Sequence, residues 1–330
     1  MKKSFINAIL AAGIIAVLML LSSCQREEIV YPTSNYYLAI TVEPDVQQKD
    51  YVKPTIFVAS FYDVETGKLA YSTFVRSESH PMGLPAGGFV TGITPGDYDL
   101  VIYNFDTHVT SVEEKGWYDR IYAFAEVAGR SKDVPITYAP DHLYWHKERV
   151  HVPYITEHDG VHIIRAALHT VLESWTVVVD GVKNANLATG VVFYVSGQAI
   201  GRYLGKDELV GQRSIVMFAG RPEAVDVMPV DPDVVETKAE GDEPYVIVGD
   251  YTTFGRLDGV DRILLTMQIA GPNGSVYTAQ EDVTAQVIDP ANTERVIRAT
   301  MDIEIQERPD GGFNPEATPW EPDVTKIILE

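Results

Sequence analysis

Residues 93–105 read Ile-Thr-Pro-Gly-Asp-Tyr-Asp-Leu-Val-Ile-Tyr-Asn-Phe, and this stretch decides the fold class. Its Thr-Pro-Gly-Asp step has proline at the second position, where the fixed φ of proline favours a β-turn. The residues that follow alternate, so that Tyr98, Leu100 and Ile102 share one face of an extended strand. An alternating apolar run that begins at a tight turn predicts a β-strand.

The same pattern recurs on both sides of this stretch. Tyr37–Val42 alternates, and Thr55–Tyr62 is rich in β-branched and aromatic residues. Glu65–Lys68 predicts a turn, and Leu69–Val75 then forms the returning strand of a hairpin. The Pro-Asn-Gly step at residues 272–274 predicts a further hairpin turn. Short strands separated by frequent turns favour a β-sandwich or barrel and disfavour βαβ units.

Three segments depart from this pattern. Ala139–Gly160 contains prolines and four of the eight histidines, and we place a domain boundary near its end. Gly201–Leu209 predicts a helical or irregular patch. Arg221–Pro244 contains eight acidic residues and four prolines, a composition that buries too little apolar surface to order itself. We therefore expect a mobile acidic loop over residues 221–244.

The N-terminus has the pattern of a bacterial lipoprotein signal peptide. Lys2 and Lys3 precede the apolar run Ala8–Leu21. Residues 21–24 then read Leu-Ser-Ser-Cys, ending at Cys24. The apolar run of 14 residues is about 21 Å long as a helix, shorter than the hydrocarbon core of a bilayer, so a membrane-spanning helix is disfavoured. The sequence predicts cleavage before Cys24 and lipid attachment to its thiol.

These boundaries divide the chain into four parts. We predict a removed signal peptide at 1–23, a tether at 24–35, and two β-domains at 36–158 and 159–330. A lipidated Cys24 anchors the mature protein to a membrane without embedding it, and we expect it on the outer face of an outer membrane.

Composition disfavours one class of partner and one kind of cross-link. The formal net charge is −21, which disfavours nucleic acid as a partner because the phosphate backbone would be repelled. Cys24 is the single cysteine, so no intrachain disulfide is expected. Stability must then come from buried apolar surface.

Motifs for catalysis, cofactors or metal are not found. Six of the eight histidines lie between His142 and His169, but their spacing is not that of a zinc site. His146 and His151 are five residues apart, which on a helix places them about 140° from each other. No Gly-x-Ser-x-Gly motif and no phosphate-binding loop occurs. We therefore expect no enzyme activity, no cofactor and no metal.

Aromatic residues leave one alternative open. Trp117, Trp145 and Trp320 could together form a platform that stacks on sugar rings, although such residues more often fill a core or an interface. The alternative function is accordingly a glycan-binding surface lipoprotein.

Three stretches resemble a known family: residues 93–104, residues 139–145 (Ala-Pro-Asp-His-Leu-Tyr-Trp) and residues 282–287 (Asp-Val-Thr-Ala-Gln-Val). They are similar to the fimbrillin-related lipoproteins of the Bacteroidetes, in particular the anchor subunits of minor fimbriae. The resemblance implies an all-β chain of two tandem transthyretin-like Greek-key β-sandwich domains. It also implies a non-catalytic surface protein that anchors or joins a fimbria, with fimbrillin-like subunits as partners through β-strand addition.

The C-terminal segment is one candidate for strand exchange. Val324, Ile327 and Leu329 form an imperfectly alternating strand that follows a proline-rich hinge. Such a strand either completes a neighbouring subunit by β-augmentation or closes its own domain, and the second outcome is favoured.

Overall fold

The structure is a computed structural model and describes residues 36–44, 53–77, 84–155, 160–225, 245–272 and 274–306. Within these residues the chain forms twenty β-strands, one short 3-10 helix and one α-helix. The predicted all-β class is confirmed. In the part of the chain described, neither helix is long and apolar enough to cross a membrane.

Eleven strands come from the first half of the chain. They are β1 (Tyr36–Glu43), β2 (Ile56–Asp63), β3 (Leu69–Arg76), β4 (Gly87–Val90), β5 (Gly96–Asn104), β6 (Thr110–Glu113), β7 (Tyr122–Ala125), β8 (Val127–Ser131), β9 (Val134–Tyr138), β10 (Tyr144–Val152) and β11 (His162–Thr170).

Nine strands and both helices come from the second half. They are β12 (Glu173–Lys183), the 3-10 helix (Ala185–Leu187), β13 (Gly190–Ala199), β14 (Gly201–Tyr203), β15 (Glu208–Leu209), β16 (Arg213–Ala224), β17 (Tyr245–Thr253), β18 (Leu264–Ala270), β19 (Val276–Asp282), α1 (Thr284–Ile288) and β20 (Val296–Glu304).

The first sheet has seven strands in the order β3-β2-β5-β10-β11-β1-β4. The predicted hairpin is β2–β3, and Asp63 accepts hydrogen bonds from the backbone and hydroxyl of Thr66 in its turn. Strand β5 places Tyr98, Leu100 and Ile102 on one face, as the alternation predicts. These side chains pack with alternate residues of β1, β2, β10 and β11 in the first core, the cluster that contains Leu100.

Strand β11 belongs to this first sheet. It pairs with β1 in parallel, from Tyr36 beside His162 to Glu43 beside His169. The change from the first sheet to the second therefore falls between Thr170 and Glu173, although the second domain was expected from residue 159. The division of the chain into two independent domains remains a prediction.

The second sheet follows the order β19-β18-β13-β16-β17-β12-β20 and encloses the second core, the cluster that contains Phe193. Phe218 stacks between Phe193 and Tyr251, with ring centroids 5.3 and 4.5 Å apart. Gly220 and Gly249 lie against the stack, and a Cβ on Gly249 would be 2.8 Å from the Phe193 ring. The two glycines leave the space that these rings occupy.

Two local predictions are corrected by the observed strands. Gly201–Leu209 is not helical: β14 and β15 pair as a short hairpin, because Arg202 and Tyr203 lie opposite Leu209 and Glu208. Residues 221–224 are the end of β16 and pair with β17, so this part of the expected acidic loop is strand. Residues 226–244 lie outside the described residues.

Strands of one half pair with strands of the other half. In a four-stranded sheet of order β15-β14-β7-β6, β14 of the second half pairs with β7 of the first. Hairpin β8–β9 of the first half extends the second sheet, where β9 lies parallel to β16. The halves are thus joined by backbone hydrogen bonds as well as by side chains.

A third cluster, the junction core, fills the space between the halves. Val58, Tyr103 and Trp145 come from the first half, and Leu204 and Phe254 from the second. Strand β5 alternates between the first core and this junction core, which is why both of its faces are apolar.

Candidate functional site

Most of the predicted site residues lie outside the described residues. These are Cys24 at the lipidation site, Val324, Ile327 and Leu329 in the proposed exchange strand, and Trp320. Lipid attachment and strand exchange by these residues therefore remain predictions.

Trp145 is buried and cannot form part of the predicted glycan-stacking platform. That side chain is 4% exposed in the junction core, and its indole N–H donates to the carbonyl of Leu204 at 3.1 Å. Trp117 is partly exposed, but Lys68 and Arg120 each lie 5.2 Å from its ring centroid. A sugar ring would have to displace these cations to stack there.

The side chains of two of the described histidines have local partners. His151 Nδ1 lies 2.7 Å from Asp97, and His146 Nδ1 lies 2.9 Å from the carbonyl of Ala167. Among the residues that the structure describes, no group of three or more His, Cys, Asp or Glu side chains could hold a metal ion. The described histidines that cluster in the sequence are thus distributed over β10, β11 and the adjoining loop residues.

A cleft of about 240 Å³ opens at the junction of the halves, lined by Trp145, His169, Glu173, Arg202 and Asp207 among others. Its carboxylates already have partners: Arg202 Nη2 lies 2.6 Å from Asp207, and Glu173 accepts a hydrogen bond from the Trp175 indole. Trp145 and His169 contact each other edge to face. This pattern of mutually paired groups is typical of a structural junction.

Burial also controls ionisation at the junction. Burial raises the pKa of the Tyr103 phenol to about 12 and raises the pKa of Tyr62 as well. Both phenols are neutral at physiological pH, so they contribute packing surface and not charge.

Asp141 fixes the loop that leads into β6. Its Oδ2 accepts hydrogen bonds from the backbone N–H groups of His108, Val109 and Thr110, the last at 3.1 Å. Asp141 lies in the 139–145 stretch that carries the family resemblance. The structure gives this aspartate a positioning role in the fold.

An open sheet edge is the most suitable surface for a protein partner. Strand β3 pairs with β2 on one side, and in the described part of the chain no strand forms a ladder on its other side. Its beginning is covered, because Leu69 N–H donates to the carbonyl of Gly116 and Lys68 bridges to Trp117. Near its end, a Cβ on Gly88 of β4 would lie 3.1 Å from Val75. The open part spans residues 70–74.

An aromatic pair lies beside this edge. Phe74 on β3 is 62% exposed and Phe105, just after β5, is 51% exposed. Their rings meet edge to face with centroids 5.1 Å apart. We call residues 70–74 together with Phe105 the β3 edge patch. Exposed apolar rings next to unpaired backbone groups are what an added strand would cover.

Sequence reasoning missed this patch, although one signal for it exists. Phe74 and Val75 are consecutive large apolar residues in a predicted strand, and consecutive residues point to opposite faces. Val75 is buried in the first core, so Phe74 must face the other side. Whether that side is covered depends on the neighbouring elements and cannot be read from the strand itself.

Comparisons with known proteins give structural relatives only. No protein-family model and no curated protein sequence matches the chain. A putative adhesin from Bacteroides ovatus is similar over 86% of this chain and 97% of its own, with 17% identity and a TM-score of 0.55. The fimbrial anchor protein Mfa2 from Porphyromonas gingivalis matches over 80% of this chain and 90% of its own, with 12% identity and a TM-score of 0.48.

A further putative adhesin, from Bacteroides thetaiotaomicron, matches over 84% of this chain and 95% of its own, with 11% identity and a TM-score of 0.48. The predicted resemblance to Bacteroidetes fimbrillin-related proteins is confirmed at the level of the fold. The chain shares the fold of the Bacteroides ovatus protein over 86% of its own length.

Proposed function

We propose that this protein is a non-catalytic, lipid-anchored cell-surface protein that serves as an anchor or accessory subunit of a fimbria-like assembly. The observation that carries the proposal is the match to the fold of the putative adhesin from Bacteroides ovatus, over 86% of this chain and 97% of that one. The lipobox at Cys24 adds the means of attachment. Association with other fimbrial components follows from this assignment.

We further propose that partners bind by β-strand addition. The β3 edge patch supports this step, since it offers unpaired backbone groups beside Phe74 and Phe105. An added strand would satisfy the backbone groups and could pack its side chains against Phe74, while Phe105 supports the Phe74 ring from across β2. The C-terminal strand that contains Val324, Ile327 and Leu329 is the candidate donor toward a neighbour, with closure of its own domain as the other outcome.

Membrane attachment is tested by Cys24→Ser. We expect the variant to fold normally but to move from the membrane fraction to the soluble fraction, because no acyl chain can be added. A Cys24→Ser protein that stays in the membrane fraction would contradict the lipoprotein assignment.

The partner class is tested on material sheared from the cell surface. Pull-down with the tagged protein, followed by mass spectrometry, is expected to recover fimbrillin-like subunits. If no such subunit is recovered and the protein is instead retained on a polysaccharide column, the glycan-binding alternative replaces the proposal.

The binding edge is tested by Phe74→Lys, because a lysine on an edge strand opposes pairing with another strand. Ile288→Lys on α1 is the matched control, since Ile288 is 50% exposed and α1 contacts β20 of the second sheet, whereas β3 belongs to the first. We expect Phe74→Lys alone to reduce recovery of subunits. Equal recovery with both variants would remove the β3 edge from the proposal.

Deletion of residues 323–330 tests the C-terminal strand. Loss of fimbrial incorporation with an unchanged circular dichroism spectrum supports strand donation. Loss of folding shows instead that this strand closes its own domain.

A further inference from the structure

The first and last described strands each pair in parallel with a strand near the middle of the chain. Strand β1 lies parallel to β11 over eight residue pairs, and β20 lies parallel to β12 over seven. We call β11 and β12 the inner strands because they lie between β1 and β20 along the chain. They are consecutive: β11 ends at Thr170 and β12 begins at Glu173. Strand β1 therefore lies on the N-terminal side and β20 on the C-terminal side, while β11 and β12 connect the two halves.

This arrangement determines how a pull along the chain acts on the hydrogen bonds. A pull at the N-terminal end of β1 is opposed at the C-terminal end of β11, since that end continues into the second half. In a parallel pair these two ends lie at opposite ends of the ladder. The strands must then slide past each other, and all the hydrogen bonds between them are loaded together. The same holds for β12 and β20.

Side chains strengthen the first pair. Tyr37 and Leu38 of β1 are completely buried, and the Tyr37 hydroxyl donates to the carbonyl of Pro85 at 2.6 Å. The Tyr36 hydroxyl donates to the carbonyl of Pro153. On its second side β1 pairs with β4. Sliding of β1 would break these contacts and bring its apolar side chains into water.

The second pair is fastened beyond the end of its ladder. Ile305 follows β20, and its N–H donates to the carbonyl of Lys183 at 3.1 Å. The carbonyl of Ile305 accepts from the Asn184 side chain at 2.9 Å, and Ile305 is fully buried. Asn184 has a left-handed backbone with φ of 57°, a conformation that asparagine tolerates better than most residues. The chain just after β20 is thus held through both the N–H and the carbonyl of Ile305.

We infer that this chain transmits tension between its two ends, through two parallel strand pairs loaded in shear in series. The use of such tension rests on one part of the proposed function, in which Cys24 is fixed to a membrane and a neighbouring subunit holds the donated C-terminal strand. The mechanical property itself rests on the strand pairing alone.

Single-molecule force spectroscopy on the chain from Cys24 to Glu330 tests the inference. One handle is attached to the thiol of Cys24, which is the single cysteine, and the other to a C-terminal tag. The control keeps Cys24 as one handle and places the other at Val161→Cys, an exposed position one residue before β11. In the control the same β1–β11 pair is pulled apart from one end, so its hydrogen bonds break one after another.

We expect the rupture force under end-to-end loading to be at least about twofold higher than in the control at the same loading rate, because forced unfolding follows the unfolding barrier along the loaded direction. Equal or lower force under end-to-end loading would overturn the inference. Asn184→Ala, measured end to end, is expected to lower the force needed to detach β20. An unchanged force in that variant would show that Asn184 does not fasten the second pair.

The outcome is separable from that of the proposed function. A low rupture force with recovered fimbrial partners would overturn the tension inference and leave the assembly proposal intact. A high rupture force without such partners would do the reverse.

Discussion

Replacement of Gly201 with alanine tests whether backbone pairing holds the two halves together. Gly201 lies on β14 opposite Phe124 of β7, and a Cβ at this position would be 2.2 Å from the carbonyl oxygen of Ala123. Because the obstacle is backbone and not the end of a flexible side chain, relief requires one strand to move. The β7–β14 pairing, which joins the halves, must therefore loosen.

The cost can be estimated in two steps. Forcing extra volume into a well-packed site costs about 1–3 kcal/mol. If β14 separates, Leu204 next to it also loses its complete burial, which adds about 1.5–3 kcal/mol. We therefore expect Gly201→Ala to lower the free energy of unfolding by at least about 1 kcal/mol, and by more if the strand detaches.

Urea denaturation followed by tryptophan fluorescence measures this change. The chain has four tryptophans, and the Trp145 indole donates to the carbonyl of Leu204, so the Trp145 part of the emission reports on the junction. Gly211→Ala is the matched control, since a Cβ there would meet nothing within 4 Å. The control should change stability by less than about 0.5 kcal/mol. If both variants unfold at the same urea concentration, the argument that the halves are locked through β7 and β14 is refuted.

Three further predictions concern stability. Asp141→Ala should cost about 2–3 kcal/mol in a urea titration, because a carboxylate that accepts three backbone N–H groups is lost; exposed Asp133→Ala is the control, and an equal effect would contradict the role of Asp141. Gly249→Ala should cost about 1–3 kcal/mol by overpacking the aromatic stack, against a small effect for Gly116→Ala, whose surroundings are open. The free energy of unfolding should fall as pH rises from 10 toward about 12, because the raised pKa keeps Tyr103 protonated in the folded chain while the unfolded chain loses that proton. Tyr103→Phe should make this fall smaller by up to about 1.4 kcal/mol per pH unit, and an unchanged slope in urea titrations across this range would contradict the assignment.

Local sequence patterns predicted strand identity well where a turn signal adjoined alternating residues. The Thr-Pro-Gly-Asp turn placed β5, and the Glu65–Lys68 turn placed β2–β3, because proline fixes its own φ and glycine allows the positive φ that a tight turn needs, as at Gly67. The prediction was wrong at Gly201–Leu209, where the strands are two or three residues long and depend on β7 for pairing. Strands this short carry too little periodicity to be recognised alone.

The candidate site was only partly predictable. The sequence identified Cys24 and the C-terminal strand as elements of attachment and assembly, and both remain predictions. It ranked Trp145 with the glycan-stacking residues, although Trp145 is buried between the halves. The β3 edge patch, with Phe74 and Phe105, was not foreseen because exposure of an edge is set by which strands fail to cover it.

The sequence by itself determined that this chain is built from β-strands and that it is acidic, and it predicts lipid attachment at Cys24, since all three depend on residue type and on spacing along the chain. Only the tertiary structure decided which strands are neighbours: that β11 lies between β10 and β1 in the first sheet, that β9 and β7 pair with strands of the other half, and that β1 and β20 lie parallel to β11 and β12. The reason is that strand alternation specifies which face of a strand is apolar but not which partner covers it. Pairing between distant strands is selected by the packing of the whole chain.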